Sequence, residues 1–154
     1  DVHSVKGIIE VKGNLTSNML EDTINKFKRN ISKINEHKDE KIYSGIFSYA
    51  ISSFSNKSIL DKLKNQTASN LNNVINHICL GNRKFIKFWD YNPSNISEES
   101  YNKWHLYKFD NDLAMGYFIY NLITYFTDEN DRLWFPEETK EIYLHETRYL
   151  NEPT

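Results

Sequence analysis

The chain has 154 residues, 39% of them hydrophobic and 14% aromatic, with 19 Lys or Arg against 21 Asp or Glu. That length and apolar content suit one globular domain (residues 1–154) whose core needs neither a metal nor a disulfide, and five Gly and three Pro leave little room for a many-turned β-sandwich. The lone cysteine, Cys79, excludes an intramolecular disulfide, and a net charge of −2 argues against a general phosphate binder.

Taken in order, residues 5–12 carry Val5, Ile8, Ile9 and Val11 between Gly7 and Gly13 and predict a short strand. Asn18 with Glu21 and Asp22 has the form of a capping box, and Leu20, Ile24, Phe27, Ile31 and Ile34 follow at steps of three and four. That spacing predicts a helix with a narrow apolar stripe, and Lys26, Lys28, Arg29 and Lys33 read as its solvated face. After a charged connector at 38–41, Tyr43, Phe47, Ala50 and Phe54, flanked by Ile42, Ile46 and Ile51, predict a second helix. A third is expected over 57–80, from Leu60, Leu63, Leu71, Val74 and Ile78, with Gly81 and Asn82 as its left-handed stop. Cys79 falls on that helix as a small buried hydrophobe.

Residues 84–91 alternate lysines with Phe85, Ile86, Phe88 and Trp89 and predict a strand of core aromatics with solvated lysines opposite. Ser97, Glu98 and Glu99 open a short helix through Trp104 and Tyr107. Residues 112–127 are apolar or aromatic from Leu113 to Phe126 except at Gly116, Asn121 and Thr124, which predicts a helix buried on all sides. The run, at about 14 residues, falls short of the 20 or so that a bilayer span needs. A buried Asn121 amide would need partners for both its oxygen and its nitrogen. An acidic loop at 128–131, an extended piece at 133–135 and a closing helix over 137–150 complete the chain. The expected fold is a mainly α, single-domain bundle of five to six helices around the central helix at 112–127, with two or three short strands.

Several catalytic templates are excluded. The glycines stand isolated, so neither a phosphate loop nor a nucleophile elbow is present. His145-Glu146 opens like a zinc-helix motif, but Tyr149 occupies the position of the second His. Asp128, Asn130 and Arg132 fail as a calcium loop because the third ligand position is cationic. His3, His37, His77, His105 and His145 form no pair at ligand spacing, and no metal or cofactor is expected. Arg83, Lys84 and Lys87 beside Phe85, Phe88 and Trp89 suggest stacked bases, yet the glycines of a ribonucleoprotein strand are missing, so no nucleic-acid partner is expected.

The strongest functional signal is the distribution of charge. Residues 1–108 hold 16 Lys or Arg against 11 Asp or Glu, whereas 109–154 hold 3 against 10. Asp128, Glu129, Asp131, Glu137, Glu138 and Glu141 surround Trp134. Acids rimming an aromatic anchor suit the capture of a basic protein, for which charge steers the encounter and rings supply buried area. The first expectation is therefore a non-enzymatic binding or inhibitor module, its acidic C-terminal third engaging a basic protein such as a toxin. A small immunity protein has this outline of size and charge, although no motif identifies such a family. The alternative is a small hydrolase or nuclease in which His105, His145 and Glu146 do the acid-base work. Five Asn-x-Ser/Thr sequons, at Asn14, Asn30, Asn56, Asn65 and Asn95, leave localisation open, with a cytoplasmic setting favoured over a secreted one and no membrane association expected.

Overall fold

The computed structural model describes residues 4–36, 42–52, 55–67, 73–89, 103–109, 112–127 and the backbone course of 142–149. The elements are β1 (Gly7–Leu15), α1 (Ser17–Asn35), β2 (Tyr43–Ile51), α2 (Asn56–Thr67), β3 (His77–Leu80), β4 (Lys84–Trp89), β5 (Lys103–Phe109), α3 (Ala114–Thr127) and β6 (Ile142–Tyr149). The expected helical bundle is overturned: the described residues form an α/β fold, with three helices on one six-stranded mixed sheet ordered as in the chain.

β1, β2 and β3 run parallel, and β3 to β6 are successively antiparallel. The two parallel connections pass through α1 and α2. Right-handed crossovers advancing in one direction across a sheet leave their helices on one face. Accordingly Leu20, Ile24, Phe27 and Ile31 of α1 and Ile59, Leu60 and Leu63 of α2 share a core with Ile46, Ile78, Ile86, Phe88, Trp104 and Leu106. Side chains of the opposite strand phase, Tyr43, Cys79, Phe85, Tyr107 and Phe109, pack instead with Ala114, Tyr117 and Phe118 of α3. The sheet lies between two helical layers.

Four expected helices are corrected by this arrangement. Within the described residues, 43–51 of the expected second helix form β2, 103–107 of the expected helix at 97–107 belong to β5, the expected helix at 57–80 gives α2 and then β3, and the closing stretch contains β6. Strands covered on both faces are apolar in both phases, so the alternation that marks a half-exposed strand is lost and three-or-four spacing appears by accident. Residues 128–141, including the acidic loop and the extended piece, lie outside the described residues. The predicted strands at 5–12 and 84–91 appear as β1 and β4, and the first helix as α1. Its cap is Thr16 rather than Asn18, the Thr16 hydroxyl accepting from Met19 N–H at 3.2 Å. Gly81 does adopt a left-handed φ of 64°, but it turns the β3–β4 hairpin rather than stopping a helix.

The stretch at 112–127 is helical but not central. α3 buries Ala114, Tyr117, Phe118 and Asn121 and leaves Ile119, Tyr120, Ile123, Tyr125 and Phe126 exposed. No described helix is long and apolar enough to cross a membrane.

Close approach of α3 to the sheet depends on Gly45 of β2, where a Cβ would stand 2.8 Å from Phe118 Cζ and 3.0 Å from Tyr43 Cε1, both buried rings. Gly45→Ala is expected to destabilise the fold by about 1–3 kcal/mol through overpacking. Gly116→Ala, where the added carbon has nothing within 4 Å, should stabilise by up to about 1 kcal/mol because alanine is the better helix former. Urea midpoints of the two variants check the contrast.

Candidate functional site

The residues singled out from sequence do not assemble into one described site. Asp128, Glu129, Asp131, Trp134, Glu137, Glu138 and Glu141 lie outside the described residues, as do His3 and His37. His105 is on β5 and buried, its ring stacked on Tyr107 at 6.0 Å and edge-on to Trp89 at 6.3 Å. His145 and Glu146 lie on β6, whose backbone course alone is described. Register steps from Leu106↔Glu146 to Tyr107↔Leu144, so His145 is the extra residue of a β-bulge. Bulges of this kind bend a strand and re-aim its side chains.

Beneath α3 lies a row of buried polar groups. His77 on β3 is stacked between Tyr43 at 5.0 Å and Phe85 at 6.0 Å, and neither ring nitrogen has a hydrogen-bond partner. Burial, with the Lys87 charge across the strand pair, holds its pKa well below the usual histidine value. This imidazole is neutral and belongs to the core.

Lys87, expected to be solvated, is buried instead. Its ammonium donates to Asn121 Oδ1 at 3.0 Å and sits 4.1 Å from the centroid of the Trp89 ring. Asn121 Nδ2 donates to the Tyr117 carbonyl at 2.8 Å. The amide thus links α3 to β4 as well as to its own helix. Cys79 Sγ lies 3.3 Å from the Gly81 carbonyl oxygen, and burial pushes its thiol up to about 12, which leaves almost no thiolate at neutral pH.

A charged cluster of three groups with access to solvent is on the other face, at β1. Strand alternation gives Ile8, Glu10 and Lys12 one common face, turned toward α1. Lys12 Nζ donates to Glu10 Oε1 at 2.8 Å, and Lys26 Nζ reaches down from α1 to both carboxylate oxygens at 3.1 Å. The Glu10 and Lys12 side chains retain 19% and 26% of their surface, so the groups are part-buried yet open at the sheet margin. The hydrogen bond from Lys12 is the main influence on Glu10 and holds its carboxyl below the usual range, with Lys26 adding to it and burial opposing.

Sequence reading missed this site. The spacing Glu10-Val11-Lys12 was visible and, in a strand, puts opposite charges side by side. That Lys26 joins them depends on α1 folding back across β1, and its place on an apparently solvated helix face concealed it.

No protein-family model matches this chain, and no curated protein is found to be similar to it.

The state of His77 has a consequence for acid stability. Its folded pKa is lowered from an ordinary value of 6.5, so below about pH 6.5 the unfolded chain binds a proton that the folded chain refuses, and stability must fall as pH falls. Urea midpoints measured from pH 7.5 to 5.5 should decline, and His77→Phe should flatten the decline.

Proposed function

We propose that the Glu10, Lys12 and Lys26 cluster is the centre of a phosphodiester hydrolase of the nuclease class. The supporting observation is the convergence of one carboxylate and two ammoniums within 3.1 Å on a part-buried strand face. The Lys26 side chain keeps 52% of its surface, and ion pairs this open contribute little to stability, about 0–1 kcal/mol, so the cluster is not explained as a stabilising device. A part-buried carboxylate held below its usual range, as Glu10 is, marks a candidate site. The reading moves the hydrolase alternative away from His105, which aromatic rings enclose, to groups that a substrate can approach.

Chemical roles follow from residue type. Lys12 and Lys26 are cations suited to a phosphate and to the charge that grows on its oxygens during displacement. In the free protein the Glu10 carboxylate neutralises them, and an arriving phosphate draws the ammoniums toward itself and releases the carboxylate. Glu10 is then a hard oxygen donor of the kind that holds Mg²⁺, which is commonly bound by one or two carboxylates together with substrate phosphate and water. Among the described residues no group of three His, Cys, Asp or Glu converges to hold a metal, so Glu10, once freed by the lysines, would be the one protein donor to a cation that arrives with the substrate phosphate. Such a cation would supply an activated water and polarise the phosphoryl group. The acidic net charge bears on long-range attraction, whereas this site needs only its two local lysines.

The test is cleavage of end-labelled single- and double-stranded oligonucleotides with Mg²⁺ or Mn²⁺. Glu10→Gln and Lys12→Met are each expected to lower the rate about 100-fold or more, with circular dichroism unchanged. A wild-type protein that cleaves neither nucleic acid, or a Glu10→Gln variant as active as wild type, sinks the reading.

A second reading is supported by charge distribution, with 3 Lys or Arg against 10 Asp or Glu in residues 109–154. In it the acidic C-terminal third binds a basic protein, with Trp134 as an anchor and Asp128, Glu129, Asp131, Glu137, Glu138 and Glu141 around it. Exchange of Glu137, Glu138 and Glu141 for Lys should then slow association with a basic toxin-like partner and reduce its salt dependence. Association unchanged by the triple reversal ends this reading.

A further inference from the structure

β1 is the outermost described strand at its end of the sheet, so one row of its backbone groups faces away from β2. The phase of that row is fixed. Tyr43 N–H donates to the Lys6 carbonyl at 3.0 Å, and backbone groups alternate sides along a strand. Ile8, Glu10 and Lys12 therefore turn their N–H and C=O toward β2, whereas Ile9 and Val11 turn theirs outward; beyond Lys12 the phase shifts, the Leu15 carbonyl accepting from Ser52 N–H at 2.9 Å. Among the described residues no strand pairs with this outward row. On the sheet face away from α1, Val11 is 57% exposed and Ile9 37%. The same surface continues onto α3, because Phe126, itself exposed, reaches the backbone of Gly7, where a Cβ would meet its ring at 3.1 Å.

Unpaired, apolar strand edges invite association, and charged side chains are a usual means of restricting it. Here Glu10 and Lys12 restrict the choice to one register. We infer that β1 is a self-recognition strand, through which two copies of the chain pair antiparallel about a two-fold axis at Val11. In that register Val11 faces Val11 of the partner subunit and exchanges both backbone hydrogen bonds with it. Glu10 faces Lys12 of the partner subunit and Lys12 faces the partner's Glu10, at the non-hydrogen-bonded positions where side chains approach most closely. Ile9 lies opposite the partner's Gly13, which makes room for it.

Other registers lose this match. Centring the axis on Glu10 or on Lys12 opposes each residue to its own copy, and like charges directly opposite are destabilising. Centring it on Ile9 sets Glu10 against Ile8, and centring it on Gly13 sets Lys12 against Asn14. One pattern thus attracts in a single alignment and repels or idles in its neighbours, which is how specificity is built against competitors. The occupant that fits is a second copy because the pattern is its own complement.

This inference goes beyond the proposed hydrolase. It adds the partner's Lys12 to the surroundings of Glu10 and stands whether or not cleavage occurs. Sedimentation equilibrium should show a monomer–dimer equilibrium for the wild type. Glu10→Lys and Lys12→Glu singly should each raise the dissociation constant about tenfold or more. The double variant Glu10→Lys with Lys12→Glu restores opposite charges across the axis and should return it to near the wild-type value, while lacking the carboxylate needed for cleavage. Loss of cleavage with an intact dimer therefore speaks only to the hydrolase reading.

Cross-linking tests the register directly. Cα atoms of a hydrogen-bonded antiparallel pair lie about 5.5 Å apart, within the range a disulfide spans. Val11→Cys should form a disulfide-linked dimer on mild oxidation and Ile9→Cys should not, with Cys79 buried and silent in both. A wild type that remains monomeric at its highest soluble concentration overturns the inference. So does a double reversal no tighter than the single ones, or equal cross-linking at positions 9 and 11.

Discussion

The fold depends on hydrogen bonding between strands that are covered on both faces. β2, β3, β4 and β5 are buried along most of their length, and backbone groups removed from water must find partners. Adjacent strands supply them. Two apolar faces then require two covering layers, which α1 and α2 provide on one side and α3 on the other. A bundle of helices would have buried the same residues, but it would not have placed Ile78 and Cys79, which are adjacent in sequence, in two different cores.

That constraint also explains the polar residues inside. Ser44 on β2 is buried because its hydroxyl donates to the Val74 carbonyl at 2.9 Å, tying β2 to the segment that leads into β3. Trp104 and Trp89 are fully buried yet satisfied, the first donating to the Ile75 carbonyl at 3.3 Å and the second to the Tyr107 hydroxyl at 3.1 Å. Lys87 is retained through Asn121 and the face of Trp89. The Tyr43 hydroxyl and both ring nitrogens of His77 are exceptions, without a hydrogen-bond partner, and His77 is a neutral ring stacked between two others. Stacked aromatic pairs contribute only about 0.5–1.5 kcal/mol beyond burial, so the two unpartnered nitrogens remain a net cost.

At β1 the constraint relaxes. The strand is covered by α1 on one face while Ile9 and Val11 are exposed on the other, and its charges pair with one another at the margin rather than inside, as Lys87 does. Glu10 and Lys12 keep contact with solvent while forming a hydrogen-bonded ion pair at 2.8 Å. The margin of the sheet is thus where chemistry, through the carboxylate and its two lysines, and association, through the outward backbone row, meet on one element.

Much of this was legible in the residues, and what was not has a definite cause. The β1 and β4 strands, the apolar stripe of α1, the helical state of 114–127 and the left-handed Gly81 follow from local pattern, because alternation, three-or-four spacing and turn chemistry are properties of neighbouring residues. The identity of 43–51 and 103–109 as strands does not. Burial on both faces erases the alternation, and only the sheet that imposes the burial reveals the strand. The position of α3 escaped for a related reason: a continuous apolar run shows that a helix avoids water on several sides, but the exposed Ile119, Ile123 and Phe126 show that one side faces outward, a fact decided by which layer the helix joins. The Glu10 and Lys12 pairing was written in the sequence as opposite charges two positions apart. Lys26 was brought to them by the crossover of α1, because convergence in space depends on topology, and topology is set by long-range pairing that no local window contains.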